Sequence, residues 1–518
     1  MNSIAALPLL FALLSTAGQT SANAHLQSGL SFFKQGKFEQ ALKEFKEAHS
    51  AEPRDASVDN LIGITETKIG NLDEADSYYL QAIQLQPQLP GPHKNLGFNY
   101  LNAKKYDLAE TELRTASTLN PRDPFAHYYL ATLYLATSRD NEAVNQLEPA
   151  RALVNNDPDL SFRMALACLR MHRSSDALSI IRDMEQRSDL DIGQEYRLAI
   201  QLSEENMYPE AVDRFRRIVQ MQPGSWSSKY DLCIALLHAG QPAEAVTILQ
   251  QLSLTRGSDP DLLTLLGLAY EAVGNSEAAL KSYQAAIKAD PENPDRYLDY
   301  TRLLMDLDRY GDAAQIVQQG MKNTPDAYAL NLRLGSIQMT QGRYDEARQS
   351  FQQAIQKHPE IALGYVALGQ SYMRQGRDQE ALKVLTDSKK TLRPDAMLEY
   401  IDGLVLSHLA HKEEALAAFQ RSIALNPQMA EPHYELGKLY FQAGLIQPAR
   451  LEFEHVLELA PEHANAHYQL SRIYERLGNS AKSKEMAQET QQILQRQREE
   501  ALAAQAARVK RSQPDQTP

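Results

Sequence analysis

The sequence predicts an all-α solenoid of stacked antiparallel helix pairs, and three columns of residues carry the prediction. Alanine recurs every 34 residues, from Ala41 through Ala75, Ala109, Ala143 and onward to Ala449, thirteen times in register. Twelve residues upstream of each alanine a second column stays small: Gly29, Gly63, Gly97, Ala131, Ala165, Ala199, Cys233, Gly267, Thr301, Gly335, Gly369, Gly403 and Gly437, followed by Ser471 one period on. A third column, four residues after the alanine, is always apolar, as at Phe45, Tyr79, Leu113, Phe215, Tyr283, Phe351 and Phe453. A fixed long period marks supersecondary units that bury their apolar faces only against one another. Two small columns mark the line where two helices press together. A 43% hydrophobic fraction with almost no alternating β-branched runs agrees with helix throughout.

The elements of each unit follow once the alanine is set at repeat position 20. Position 7 is mostly apolar, from Ile62 and Leu96 to Leu470, and forms the core stripe of a first helix. Position 15 holds Gly36, Gly70, Gly240, Gly274, Gly342, Gly376, Gly444 and Gly478, where a left-handed residue closes that helix. Position 24 is the core of the second helix, and Pro53, Pro87, Pro121, Pro223, Pro291 and others at position 32 stop it. Each helix is only about 20 Å long at 1.5 Å per residue, too short to stand alone, so stacking supplies the stability. Pro149 falls inside a second helix and is expected to bend or end it.

A small residue at 8, an aromatic or leucine at 24, alanine at 20 and proline at 32 resemble the tetratricopeptide repeat. The resemblance runs over residues 22–497 as about fourteen tandem repeats. It implies a right-handed superhelix that binds other proteins rather than a catalyst. Outside the repeats, residues 1–24 carry an apolar run from Ile4 to Leu14 followed by small residues. They read as a signal peptide, cleaved after Gly18 or Ala24, with export to the periplasm or exterior; the alternatives are an unprocessed helix over the first repeat and a cytoplasmic chain. The run is too short to span a bilayer, and no Lys or Arg precedes Lys34, unlike an ordinary signal. Residues 480–511 lack turn residues and read as a long capping helix, and 512–518 as a disordered tail.

Several function classes drop out. No HExxH, paired CxxC, GxGxxG, GxxxxGK[ST] or GxSxG occurs, so no catalytic residue and no cofactor is expected. Cys168 and Cys233 fall in helix-packing columns a whole repeat apart and read as buried thiols. His25, His93, His127, His433 and His467 share position 4, one per repeat, spaced as rungs of a ladder and too far apart to ligate one metal. The net charge of −13 has the wrong sign for nucleic acid.

What remains is a surface. In the family that the repeats resemble, positions 2, 5, 6, 9, 12 and 13 of the first helices line the concave face. Position 5 reads Tyr128, Phe162, Tyr196 and Tyr230 in four successive repeats and Tyr400, Tyr434 and Tyr468 in three more. Arg163 and Arg197 follow one residue on. Aromatic and arginine anchors suit a peptide or partner protein, and a glycan is an alternative ligand. Charge on this face runs from basic in the early repeats (Lys34, Lys68, Lys94, Arg163, Arg170, Arg197) to acidic in the seventh to ninth (Asp231, Asp261, Glu271, Asp299, Asp306). The lysine and asparagine pattern with which some relatives clamp a C-terminal carboxylate is missing, since Phe98 stands at position 9 beside Lys94. The expectation is a non-catalytic scaffold for envelope or secretion machinery, or alternatively the repeat arm of a polysaccharide pathway whose enzyme or pore is another chain.

Overall fold

A computed structural model describes residues 21–187 and 190–512. The export segment lies outside it up to Thr20, while Ser21–Ala24 form the first turn of the helix Ser21–Lys34; the last six residues, 513–518, also lie outside. Twenty-nine helices and no strand fill the described residues. They alternate as first and second helices of fourteen pairs, an all-α solenoid. The chain divides into two compact bodies, one reaching Ser228 and the other starting at Lys229, within the helix Trp226–His238.

In both bodies the repeat columns explain the packing. All thirteen position-20 alanines are fully buried. The small residue at position 8 has a specific reason: it lies beneath the position-24 side chain of its own repeat. A Cβ on Gly29 would sit 2.5 Å from the Phe45 ring, on Gly267 2.6 Å from Tyr283, and on Gly403 2.6 Å from Phe419. In three repeats a smaller position 24 goes with a larger position 8, as in Ala131 with Leu147, Ala165 with Ile181 and Thr301 with Val317, while Gly97 beneath Leu113 and Gly369 beneath Leu385 keep both small. In those three repeats the pair trades volume, as close packing favours. Ala199 beneath Phe215 shows that one repeat takes both.

Position 15 is left-handed in all fourteen repeats. Glycine fills eight of them, and Lys104, Ser138, His172, Asn206, Asp308 and Ala410 adopt φ of 56–61° in the rest. The same capping bond recurs: Lys37 N–H donates to Phe32 O at 3.0 Å, Lys105 to Tyr100 O at 2.9 Å and His411 to Leu406 O at 2.9 Å. It satisfies a carbonyl that the helix end leaves without a partner. Register alone therefore imposes the turn, even on residues that resist it.

Pro149 breaks its helix four residues upstream. The second helix of that repeat is split into Asp140–Val144 and Leu147–Asn155. Proline has no N–H for the Asn145 carbonyl and its ring crowds that carbonyl, so the chain tightens there, with Gln146 N–H on Ala143 O at 3.0 Å. In the seventh repeat Gly257 stands where proline stops other second helices, and the helix Pro242–Arg256 runs one residue longer than its neighbours.

The position-4 histidines are struts. His93 Nδ1 meets Glu112 at 2.6 Å on the second helix, and its Nε2 lies 3.0 Å from the Pro87 carbonyl that ends the preceding repeat. His127 repeats the arrangement with Gln146 at 2.7 Å and Pro121 O at 3.1 Å. Tyr297 and Tyr365 reach the same carbonyls of Pro291 and Pro359 through their hydroxyls. In the sixth repeat the polarity is reversed, with Glu195 at position 4 and Arg214 at 3.2 Å. No cluster of metal-ligating side chains occurs among the described residues. Cys168 and Cys233 are both buried free thiols, pushed up to about 12 by burial. No described helix is long and apolar enough to cross a membrane.

Candidate partner-binding faces

In the first body the aromatic column begins at Tyr128 on the helix Pro124–Ala136. Its hydroxyl donates to Asp157 Oδ2 at 2.6 Å. Asp157 is also the N-cap of the next first helix, accepting the Leu160 N–H at 3.1 Å. Burial, then this hydrogen bond, raise the Tyr128 pKa well above the usual tyrosine value. Tyr128 is a brace between successive repeats, with its polar tip already engaged.

Phe162 corrects the expectation of a surface anchor. It is 2% exposed, and the Arg197 guanidinium lies over its ring at 4.5 Å from the centroid. A position-6 side chain of one repeat thus covers position 5 of the repeat before it, which single-repeat periodicity does not reveal. Arg163 is half-buried and held loosely by Asp159 at 3.6 Å.

The helix Ile192–Glu204 presents what the column promised. A capping box fixes its start: the Asp191 carboxylate accepts the Gln194 N–H at 2.8 Å, and Gln194 Oε1 accepts the Asp191 N–H at 3.1 Å. Tyr196 is 39% exposed, edge-on to Phe215 with centroids 6.0 Å apart, and Ile200 one turn later is 38% exposed. Arg197 is exposed beside them and has no carboxylate partner among the described residues. Ile200 at position 9 escaped the sequence reading, which drew its apolar anchors from position 5. Its signal was the apolar run Ile200, Ile234 and Leu268 at position 9.

In the second body Tyr230 is half-buried, its pKa raised by burial and by the neighbouring carboxylates Asp261 and Asp259. Ile234, four residues on, is exposed. Tyr400 packs on Phe419, with centroids 6.2 Å apart, and burial pushes it up to about 12. Tyr434 lies between Phe453, at 5.6 Å, and His463, at 4.8 Å. Tyr468 stands out at 50% exposure.

The expected change of charge sign is largely absorbed locally. In the first body Lys94 is bound by Asp123 at 2.6 Å and Arg170 by Asp140 at 2.6 Å. In the second, Arg296 pairs with Asp261, and Arg302 grips Glu271 through two bonds of 3.0 and 2.8 Å. An open cleft of about 370 Å³ beside Leu268, Glu271 and Asp306 offers little free chemistry, because Glu271 also accepts the Tyr283 hydroxyl at 2.5 Å.

Tetratricopeptide repeat models match residues 26–90, 332–396 and 434–483, and a second such model matches 202–269 and 272–334. A third, described as a TPR repeat, matches 413–444. No curated protein sequence matches the chain. Among solved structures, yeast Tom70 is 14% identical over 95% of this chain and 97% of its own, with a TM-score of 0.41. The Cut9–Hcn1 hetero-tetramer of the APC/C is 14% identical over 88% and 96%, with a TM-score of 0.34, and MamA 23% over 32% and 97%, with 0.29. With the position-20 alanine in thirteen of the fourteen helix pairs and the family's models matching in both bodies, the chain belongs to the tetratricopeptide repeat family.

Proposed function

We propose that this interaction scaffold holds a peptide segment of a partner protein on the first-helix face of residues 192–204, in the assembly of envelope or secretion machinery. One observation carries the reading: Tyr196 and Ile200 stand exposed one turn apart beside an exposed Arg197, which no carboxylate among the described residues answers. An exposed aromatic, an aliphatic and a cation on one capped helix provide the anchors that dominate protein interfaces. Arg163 adds a second cation from the preceding repeat. The apolar run from Ile4 to Leu14 supports placing the partner outside the cytoplasm.

Affinity capture from the protein's own cells supplies the partner. Tyr196→Ala with Ile200→Ala is expected to cost about 2 kcal/mol or more of binding with helix content unchanged. Arg197→Ala should flatten the dependence of binding on salt. Full affinity in all three substitutions would refute this face as the site.

A further inference from the structure

At the far end of the second body the helix Ala464–Arg476 carries Arg472 and Arg476 four residues apart, on one helical face. Both guanidiniums lie against the Phe441 ring, at 5.0 and 4.3 Å from its centroid, and Arg472 also lies 5.8 Å from that of Tyr468. Like charges at this spacing repel. Nevertheless, no carboxylate among the described residues pairs with either, and the one side-chain hydrogen bond of Arg472 is to Gln469 at 3.3 Å. Several arginines of this body are answered, Arg302 by Glu271, Arg309 by Asp312, Arg421 by Glu399 and Arg450 by Glu454, whereas Arg333, among the described residues, reaches only Met305 Sδ, at 3.8 Å. Lys438, at the position of Arg472 one repeat earlier, is bound by Glu435 at 2.6 Å.

Stacking on an aromatic ring orients a guanidinium and leaves its N–H edge open, so little freedom is lost when the edge is used. That edge matches a carboxylate with two parallel bonds. Tyr468 beside it, half exposed, is a ledge for an apolar side chain. A net charge of −13 opposes long polyanions and anionic membranes, whose affinity needs many cations acting together.

We infer that Arg472, Arg476 and Tyr468 form a docking patch for an extended acidic peptide segment, whose Asp or Glu side chains enter the two guanidinium forks. The inference rests on the reading of the chain as a protein-interaction scaffold, and it assigns a partner chemistry to a second place on it.

The test is fluorescence anisotropy on the full chain with a labelled peptide of Asp, Glu and Leu, its Asn, Gln and Leu isostere, and a single-stranded oligonucleotide. The acidic peptide should bind in preference to the isostere and weaken with salt. Arg472→Gln and Arg476→Gln should each weaken it about tenfold, the expected scale for a charge-assisted hydrogen bond. Arg472→Lys, which keeps the charge but not the fork, should recover only part. Circular dichroism reports the fold of each variant, and both arginines are exposed. Equal binding of peptide and isostere, undiminished binding by the double variant, or tighter binding of the oligonucleotide would each overturn the proposal. If it falls while Tyr196→Ala still releases the captured partner, the scaffold reading stands. If the acidic peptide binds here while the Tyr196 face proves silent, the latter falls alone.

Discussion

Replacing Gly403 with alanine tests whether position 8 is small because of the side chain above it. Alanine is the better helix former by about 1 kcal/mol, so propensity alone predicts stabilisation. The added Cβ would lie 2.6 Å from Cε1 and 2.7 Å from Cδ1 of Phe419, a fully buried ring with nowhere to retreat. Overpacking of this kind costs about 1–3 kcal/mol. Gly369→Ala is the internal control, because its Cβ would meet the flexible Leu385 side chain at 3.1 Å. It gains the same propensity with little steric cost. The two variants should therefore differ by about 1–3 kcal/mol, with Gly403→Ala the less stable. Phe419→Leu in the Gly403→Ala background should recover much of the loss by recreating the Ala131 and Leu147 pairing. Ala199 beneath Phe215 shows that a helix pair built for both can hold them, which places the cost at the lower end of the range. Stacked repeats unfold in parts, so the readout is hydrogen exchange within the helices Ala396–His408 and Lys412–Leu425 rather than one melting curve. Equal exchange in Gly403→Ala and Gly369→Ala would refute the volume trade between positions 8 and 24.

Other outcomes follow from the same geometry. Ala410 holds φ of 61°, so Ala410→Gly should stabilise its turn by about 1 kcal/mol, measured as slower local exchange, whereas Gly376→Ala should destabilise the equivalent turn. Phe162→Ala empties a buried site beneath Arg197 and should cost about 3–5 kcal/mol of local stability; a binding loss with stability unchanged would put Phe162 back on the surface. Cys168 and Cys233 are buried, and their thiols are pushed up to about 12, so thiolate is scarce at mildly alkaline pH. Both should stay unreactive toward a disulfide reagent until the chain unfolds, and rapid labelling of the native protein would contradict this.

The fold was legible in the residues because the period forces each column into one environment. The alanines at position 20, the glycines at 8 and 15 and the proline at 32 each answer to a contact or a backbone angle that recurs in every pair of helices. Register carried the turn to Lys104 and Ala410, which composition alone would not place at positive φ. The binding face was legible only as a set of columns. Whether a position-5 aromatic is exposed depends on the next repeat: Arg197 lies over Phe162, Asp157 captures Tyr128, and only Tyr196 and Tyr468 stand substantially exposed. Those are contacts to the next first helix or to the cap that starts it, and the periodicity of one column does not contain them. Part of the charge pattern is spent inside the protein, since Lys94 is bound by Asp123 at the cap of the next first helix and Arg302 by Glu271 of the preceding repeat.

The central claim is that a partner protein is held on the exposed first-helix face at Tyr196, Arg197 and Ile200. Hydrogen exchange of the full chain, with and without its affinity-captured partner, tests this most directly. The account predicts slowed exchange in the helix Ile192–Glu204 and in the adjoining first helix Pro158–Arg170. Protection confined to second helices such as Ser174–Arg187 and Tyr208–Met221, with the residues around Tyr196 unchanged, would contradict it.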